Sequence, residues 1–185
     1  MMTSQPARHE LTVPVSARDH IAGSPDAPLQ LLEYGDYECP FCGMAYPVVE
    51  AVRQTLADRL CFAFRHFPIV NAHPHALRAA EAAEGAGAQG RFWPMHAQLF
   101  EHQDALDDEM LVAYAVQIGL DTDRFVADLA EHRFIPRIRD DLSSGARSGV
   151  NGTPTFFVSG LRYEGPVEVQ PLIRALELAA ASINA

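Results

Sequence analysis

The chain has 185 residues, 48% hydrophobic, 9% aromatic and 21% charged, which excludes a disordered tail or a fibrous chain and suits one domain with or without a large insertion. Its fourteen basic residues, all arginine, stand against 24 acidic ones for a net charge of −10, which argues against a mainly electrostatic grip on nucleic acid or anionic lipid. Three cysteines are too few for a disulfide-stapled mini-domain, and the odd count leaves one thiol unpaired.

Residues 1–28 are polar and punctuated by Pro6, Pro14, Gly23, Pro25 and Pro28, and read as a lead-in with a short edge strand at Leu11 to Val15. The opening lacks the apolar stretch of about 7 to 15 residues that a secretory signal needs. The expected location is cytoplasmic if Met1 is the native start, and periplasmic or otherwise extracytoplasmic if a signal was trimmed. No run approaches the roughly 18 to 20 apolar residues of a membrane span.

Leu29 to Tyr34 is a short, mostly apolar run, the pattern of a strand covered on both faces. After the turn GDYECP, apolar residues from Phe41 to Leu56 recur at helical spacing, with Pro40 where its fixed φ suits the first turn and Pro47 inside. Leu60 to Phe67 reads as a second strand, ended by Pro68. Strand, helix and strand make a βαβ unit with parallel strands and a right-handed crossover, so the fold class is α/β. Roughly 80 residues follow with almost no β pattern. They form a helical subdomain over 71–149, with Asp107, Asp121 and Thr122 as candidate caps. TPTFFVSG and LRYEG return to β structure, and a last helix runs from about Val167 to Ala181.

Cys39-Pro40-Phe41-Cys42 lies at the strand–turn–helix junction of the βαβ unit, where CxxC reads as a redox motif. Free N–H groups and the positive dipole end of the helix favour a thiolate at Cys39, the attacking thiol, while Cys42, a turn inside, resolves the mixed disulfide. Cys39 is expected to be exposed and Cys42 shielded. A zinc set of Cys39, Cys42, Cys61 and His66 can be written, but Cys61 and His66, five apart on a strand, face opposite ways. No metal or organic cofactor is therefore expected. Asp36 and Glu38 oppose the thiolate by like charge, and the Pro-Phe pair offers no cation. The Cys39 value is expected in the upper half of the range that reactive CxxC thiols span, about 3.5 to 7. Cys61 reads as a buried structural thiol, Phe92, Trp93 and Phe100 as core, and His73 and His75 as solvated or capping, with weak metal binding as their other reading. Glu33, six residues before Cys39 on a buried strand, should carry a raised pKa.

Through LLEYGDYECPFCGMAYP, RHFPI, QGRFWPMHAQLF and GVNGTPTFFVSG, about residues 19 to 181 resemble the DsbA-like branch of the thioredoxin-fold superfamily. The resemblance implies a thioredoxin core, residues 29–70 and 150–185, interrupted by the helical insertion. It implies a cis Pro154 facing the CxxC and exposing the backbone of Thr153 for a substrate strand, with Pro40 and Phe41 also in the substrate-binding surface. It places Glu33 beneath the dithiol, assisting proton transfer at Cys42. The activity implied is thiol–disulfide exchange with cysteine-containing polypeptides, recycled by a redox partner protein or glutathione. The competing readings are a glutathione-linked reductase or transferase on the same fold, and a non-enzymatic redox-responsive or metal-handling module.

Overall fold

The computed structural model describes residues 10–183; the first nine residues of the lead-in lie outside them. A five-stranded sheet is formed by β1 (His20–Gly23), β2 (Leu29–Gly35), β3 (Leu60–His66), β4 (Thr155–Val158) and β5 (Leu161–Tyr163). Its spatial order is β1-β3-β2-β4-β5, with β2 and β3 parallel and every other pair antiparallel. Helix α1 (Pro40–Leu56) makes the β2–β3 crossover, and α2 (Ala76–Gly87), α3 (Phe92–Glu101), α4 (Asp108–Gln117), α5 (Thr122–Ala130) and α6 (Ile135–Arg147) all fall between β3 and β4. Helix α7 (Val169–Ile183) closes the described chain. Asp107 and Asp121 cap α4 and α5 by accepting the backbone N–H groups of Met110 and Arg124. Thr122, the third candidate cap, is instead the first residue of α5.

Successive side chains of a strand point to opposite faces, and here both faces are buried. Leu31, Phe62, Phe64, Phe156 and Val158 enter the main core with Ala45, Val49 and Val52 of α1 and Leu172 and Leu176 of α7. On the other face Leu32, Tyr34, Ala63 and Phe157 join Val150, Phe67, Leu11 and Val15 in a smaller core. This double covering is why β2 and β3 read as continuous apolar runs.

The edge strand is not where the sequence suggested. Leu11 to Val15 forms no strand; β1 at His20–Gly23 holds the edge, and Glu10 makes only an isolated bridge to Leu161. The cause is a side chain. The Arg65 guanidinium, buried on β3, takes the carbonyls of Val13 (2.8 Å) and Pro14 (3.0 Å), so these groups bond to arginine and not to a strand neighbour. Pro14 has no N–H to offer a ladder in any case. Arg65 also grips Asp19 through two bonds, 2.7 and 3.0 Å, and donates to the Tyr34 hydroxyl at 3.0 Å.

Breaking a buried pair from one side leaves an uncompensated charge, which typically costs about 3–5 kcal/mol. Asp19→Ala is therefore expected to lower stability by that amount in urea unfolding. Glu177→Ala, which breaks an exposed pair with Arg59, should cost about 0–1 kcal/mol. Equal effects from the two variants would refute the anchoring role of the Arg65–Asp19 pair.

Candidate active site

Cys39 is the N-cap of α1: its backbone is extended (φ −73°, ψ 121°), Pro40 follows at the first helical position, and no side-chain oxygen caps the helix. The sulfur occupies the place a capping oxygen would take. Contrary to the sequence expectation, Cys39 is buried, at 3% exposure, although Cys42, at 0%, lies deeper. It lies beneath the loop before β4, where its thiol donates to the Thr153 carbonyl at 3.3 Å. The Thr153–Pro154 peptide is cis. Pro40 and Phe41, the two residues between the cysteines, are exposed, Phe41 at 63%. With Met44, Ala45, Thr153, Pro154 and Val167, Phe41 lines an open, mostly apolar cleft of about 470 Å³ beside the dithiol.

The two thiols sit in opposite electrostatic conditions. Cys39 is lowered from 9.0 to about 5, above all by the hydrogen bond from Cys42. Burial opposes this, while Thr153 and the backbone N–H groups of Cys42 and Phe41 assist. The Thr153 hydroxyl is buried with no other partner, so it is free to serve a thiolate. Cys42 is driven far above the ordinary thiol value, first by burial, then by the bond it gives Cys39 and the negative charge of Glu33. One sulfur is thus held as a nucleophile and the other as a proton-bearing thiol. Asp36 and Glu38, expected to oppose the thiolate by like charge, are both engaged by other partners. Asp36, with a fully buried side chain, accepts the N–H groups of Glu38 (2.8 Å) and Ile69 (2.8 Å) and bonds His73 Nδ1 at 2.7 Å. Glu38 accepts from the His75 backbone N–H (2.6 Å) and bonds its Nδ1 at 2.9 Å. His73 and His75 are therefore partners of the active-site turn, a role their sequence position did not reveal.

Glu33 is 2% exposed. On the central strand it is in register with Phe64 of β3 and Phe156 of β4, an aromatic on each side. Its Oε1 is buried without a hydrogen-bond partner. Burial, and then the Cys39 charge, push it from 4.5 to about 8, in the range of a group that takes and returns a proton near neutral pH. Gly35 keeps this space open: a Cβ there would lie 2.4 Å from the Phe64 ring.

Gln103, which sequence reasoning missed, clamps the turn by donating its amide to the carbonyls of Tyr37 (2.8 Å) and Cys39 (2.9 Å). The side chain leaves no room at position 43, where a Cβ would lie 1.9 Å from its Oε1, hence Gly43. Nothing in local sequence ties residue 103 to residue 39. Tyr37 is also buried, its hydroxyl 3.0 Å from His96 Nδ1. Phe92 and Phe100 are buried and Trp93 packs against the same core. Cys61 is buried, and burial raises its thiol.

His66 of the written zinc set is committed elsewhere. Its Nε2 lies 2.9 Å from Glu84 Oε1, which also meets His20 Nε2 at 3.0 Å. These three form a group close enough to ligate a metal. However, His66 Nδ1 is buried without a partner, whereas a metal-bound histidine almost always donates its other nitrogen. Arg137 Nε also stands 3.9 Å from the same carboxylate oxygen. The group fits a hydrogen-bonded network better than a metal centre.

The thioredoxin family profile matches residues 16–177. A sequence relative, the Na(+)/H(+) antiporter NhaA 1 of Mycobacterium sp. (strain KMS), is 51% identical over 162 residues, 86% of this chain and 26% of that protein. The chain thus spans about a quarter of the curated relatives it matches. Among solved structures, a thioredoxin-like oxidoreductase from Silicibacter pomeroyi DSS-3 superposes with TM-score 0.79 and 26% identity, covering 89% of this chain and 93% of that one. The alpha-DsbA1 of Wolbachia pipientis gives 0.79 at 20% identity, covering 95% and 96%. No helix among the described residues is long and apolar enough to cross a membrane.

Two measurements test the site. The thiolate absorbance of the reduced protein near 240 nm should titrate near pH 5 for Cys39, and Cys42→Ala, which deletes the leading donor, should move that midpoint up by on the order of one pH unit or more. An unmoved midpoint would show that Cys42 does not hold the thiolate. The second measurement is stability against pH. Cys39, lowered from 9.0, contributes stability that is present above 9.0 and lost as pH falls through about 5. Glu33, raised from 4.5, contributes stability that is present below 4.5 and lost as pH rises through about 8. Glu33→Gln removes the second dependence, so the reduced variant should gain stability from pH 5 to 8 more steeply than the wild type. The difference in slope should approach roughly 1.4 kcal/mol for each pH unit across that window. Parallel urea-unfolding profiles would place Glu33 in water.

Proposed function

The chain belongs to the thioredoxin family, with the DsbA-like fold, and from that premise we propose that it is a protein-disulfide oxidoreductase exchanging the Cys39–Cys42 couple with cysteine-containing polypeptides. The observation that carries this reading is geometric: Cys39 caps the N-terminus of α1 within 3.3 Å of the Thr153 carbonyl, with Cys42 fully buried one turn inside the helix. The Cys39 thiolate attacks one sulfur of a substrate disulfide; that S–S bond breaks, and the other substrate sulfur leaves as a thiolate. Cys42 then gives its proton to Glu33 and attacks Cys39, releasing the second substrate thiolate. Two electrons have passed from the dithiol to the substrate, and the reverse sequence oxidises a substrate dithiol. The direction follows the poise of the compartment and of the recycling partner, a second redox protein or glutathione.

The cleft supports a polypeptide substrate. Phe41 and Met44, both 63% exposed, give apolar contact, and the Thr153–Pro154 segment brings main-chain groups to the edge of the dithiol. This reading concerns the thioredoxin-family region alone. The antiporter name describes whole proteins about four times its length, and no ion transport is carried over to this chain.

Cys42→Ser should trap substrate on Cys39, giving mixed disulfides with polypeptides that collapse on adding reductant. Cys39→Ser should trap far fewer, and Cys61→Ser should leave turnover nearly unchanged. Glu33→Gln should slow release of the mixed disulfide between pH 6 and 8. Equal trapping by both motif variants would misassign the nucleophile. Trapping by neither, with a metal retained at stoichiometry, would favour the metal-handling reading instead.

A further inference from the structure

The motif itself carries no cation: Pro40 and Phe41 separate the cysteines, and the charged residues just before them, Asp36 and Glu38, are acidic. A carboxylate with a fully buried side chain three residues from the nucleophile would, alone, oppose a Cys39 thiolate. It is not alone. Asp36 Oδ2 receives the Ile69 N–H at 2.8 Å and lies 2.7 Å from His73 Nδ1. The same residue holds the nucleophile's backbone, since its carbonyl accepts the Cys39 N–H at 3.2 Å and its Oδ1 accepts the Glu38 N–H at 2.8 Å. The loop carrying His73 is fixed independently. His73 N–H and Ala72 N–H both donate to the Ile69 carbonyl, each at 2.9 Å, and the two His75–Glu38 bonds close its far end. His73 is only 17% exposed, so its ring has little freedom to leave Asp36.

We propose that His73 is a positioning residue for the exchange reaction: docked on the Asp36 carboxylate, it supplies beside the Cys39 thiolate the positive charge that the Pro-Phe motif lacks. Burial works against an imidazolium at this place. The Asp36 bond and the negative charges of Asp36, Cys39 and Glu38 outweigh it, and the imidazole is raised above 6.5. Among the described residues, the charge of Cys39 acts on Cys42 from α1, Glu33 from β2 and His73 from the loop before α2, and Asp36 and Glu38 of the turn face the same imidazole. Of these, His73 alone can carry a positive charge. The pair thus turns a destabilising buried carboxylate into a neutral support, and couples the charge of a residue outside the motif to the redox state of the dithiol.

The inference rests on the oxidoreductase reading, and its test separates the two. Coupling between charges is reciprocal: whatever His73 does for the thiolate, the thiolate does for His73. In the wild-type protein the His73 imidazole, followed by NMR, should titrate at higher pH in the reduced form than in the disulfide form. The expected difference is on the order of half a pH unit to one pH unit, the other imidazoles serving as references. His73→Gln keeps a hydrogen-bond donor without the charge, and should raise the Cys39 thiolate midpoint by the same amount; His73→Arg should restore it. An identical His73 titration in both redox forms would overturn the proposal, even if His73→Gln failed to fold. So would an unmoved thiolate midpoint in folded His73→Gln. Failure of the dithiol to exchange with oxidised glutathione would instead count against the function, and would leave the charge coupling measurable.

Discussion

The Asp36 carboxylate is the point on which the active site turns. A buried carboxylate costs several kcal/mol unless hydrogen-bond donors reach it. Here they come from the turn before Cys39, through Glu38 N–H, and from the loop after β3, through Ile69 N–H and the His73 ring. Satisfying one side chain therefore binds two stretches of chain that share no secondary structure. Cys39 inherits its place from this arrangement, because its N–H returns to the Asp36 carbonyl and its own carbonyl is held by Gln103. A loose turn would let the sulfur drift from the N–H groups that make it a thiolate.

Around that turn, burial does two different things to similar groups. Cys39 and Cys42 are both enclosed, but Cys39 is surrounded by donors, whereas Cys42 sits deeper with one acceptor and a carboxylate below it. Desolvation disfavours charge at both; only at Cys39 do local dipoles reverse the balance. Glu33 completes the gradient. It lies between Phe64 and Phe156, where one carboxylate oxygen has no partner, so holding a proton near neutral pH is the less costly state. The sheet is not a passive platform here: its pleat decides that residue 33 points toward the dithiol while residues 32 and 34 point into the smaller core.

The opposite face shows the same logic used for structure. Arg65 alternates with Phe64 and His66 on β3, and so enters the smaller core, where a bare guanidinium would be costly. Asp19, Tyr34 and the carbonyls of Val13 and Pro14 saturate it. The lead-in chain is thereby laid across the sheet without joining it as a strand. Neighbouring Ser144 of α6 bonds the Tyr34 hydroxyl at 2.8 Å, so the inserted helices are tied to the same point.

What the sequence by itself determined is what short-range physics controls. Apolar spacing marks α1, continuous apolar runs mark β2 and β3, and Pro40 marks the helix start that makes Cys39 its cap. The burial of Glu33 followed from the same pattern, because a strand covered on both faces hides every side chain it carries. Tertiary structure alone decided the rest. Cys39 is covered by Thr153, 114 residues away; His73 finds Asp36 across 37 residues; Arg65 finds Asp19 across 46 and displaces the anticipated edge strand. Each of these depends on how loops fold over strand ends, and no periodicity records it. Local spacing tells a side chain which way to face; only the packed sheet and its insertion decide what it meets there.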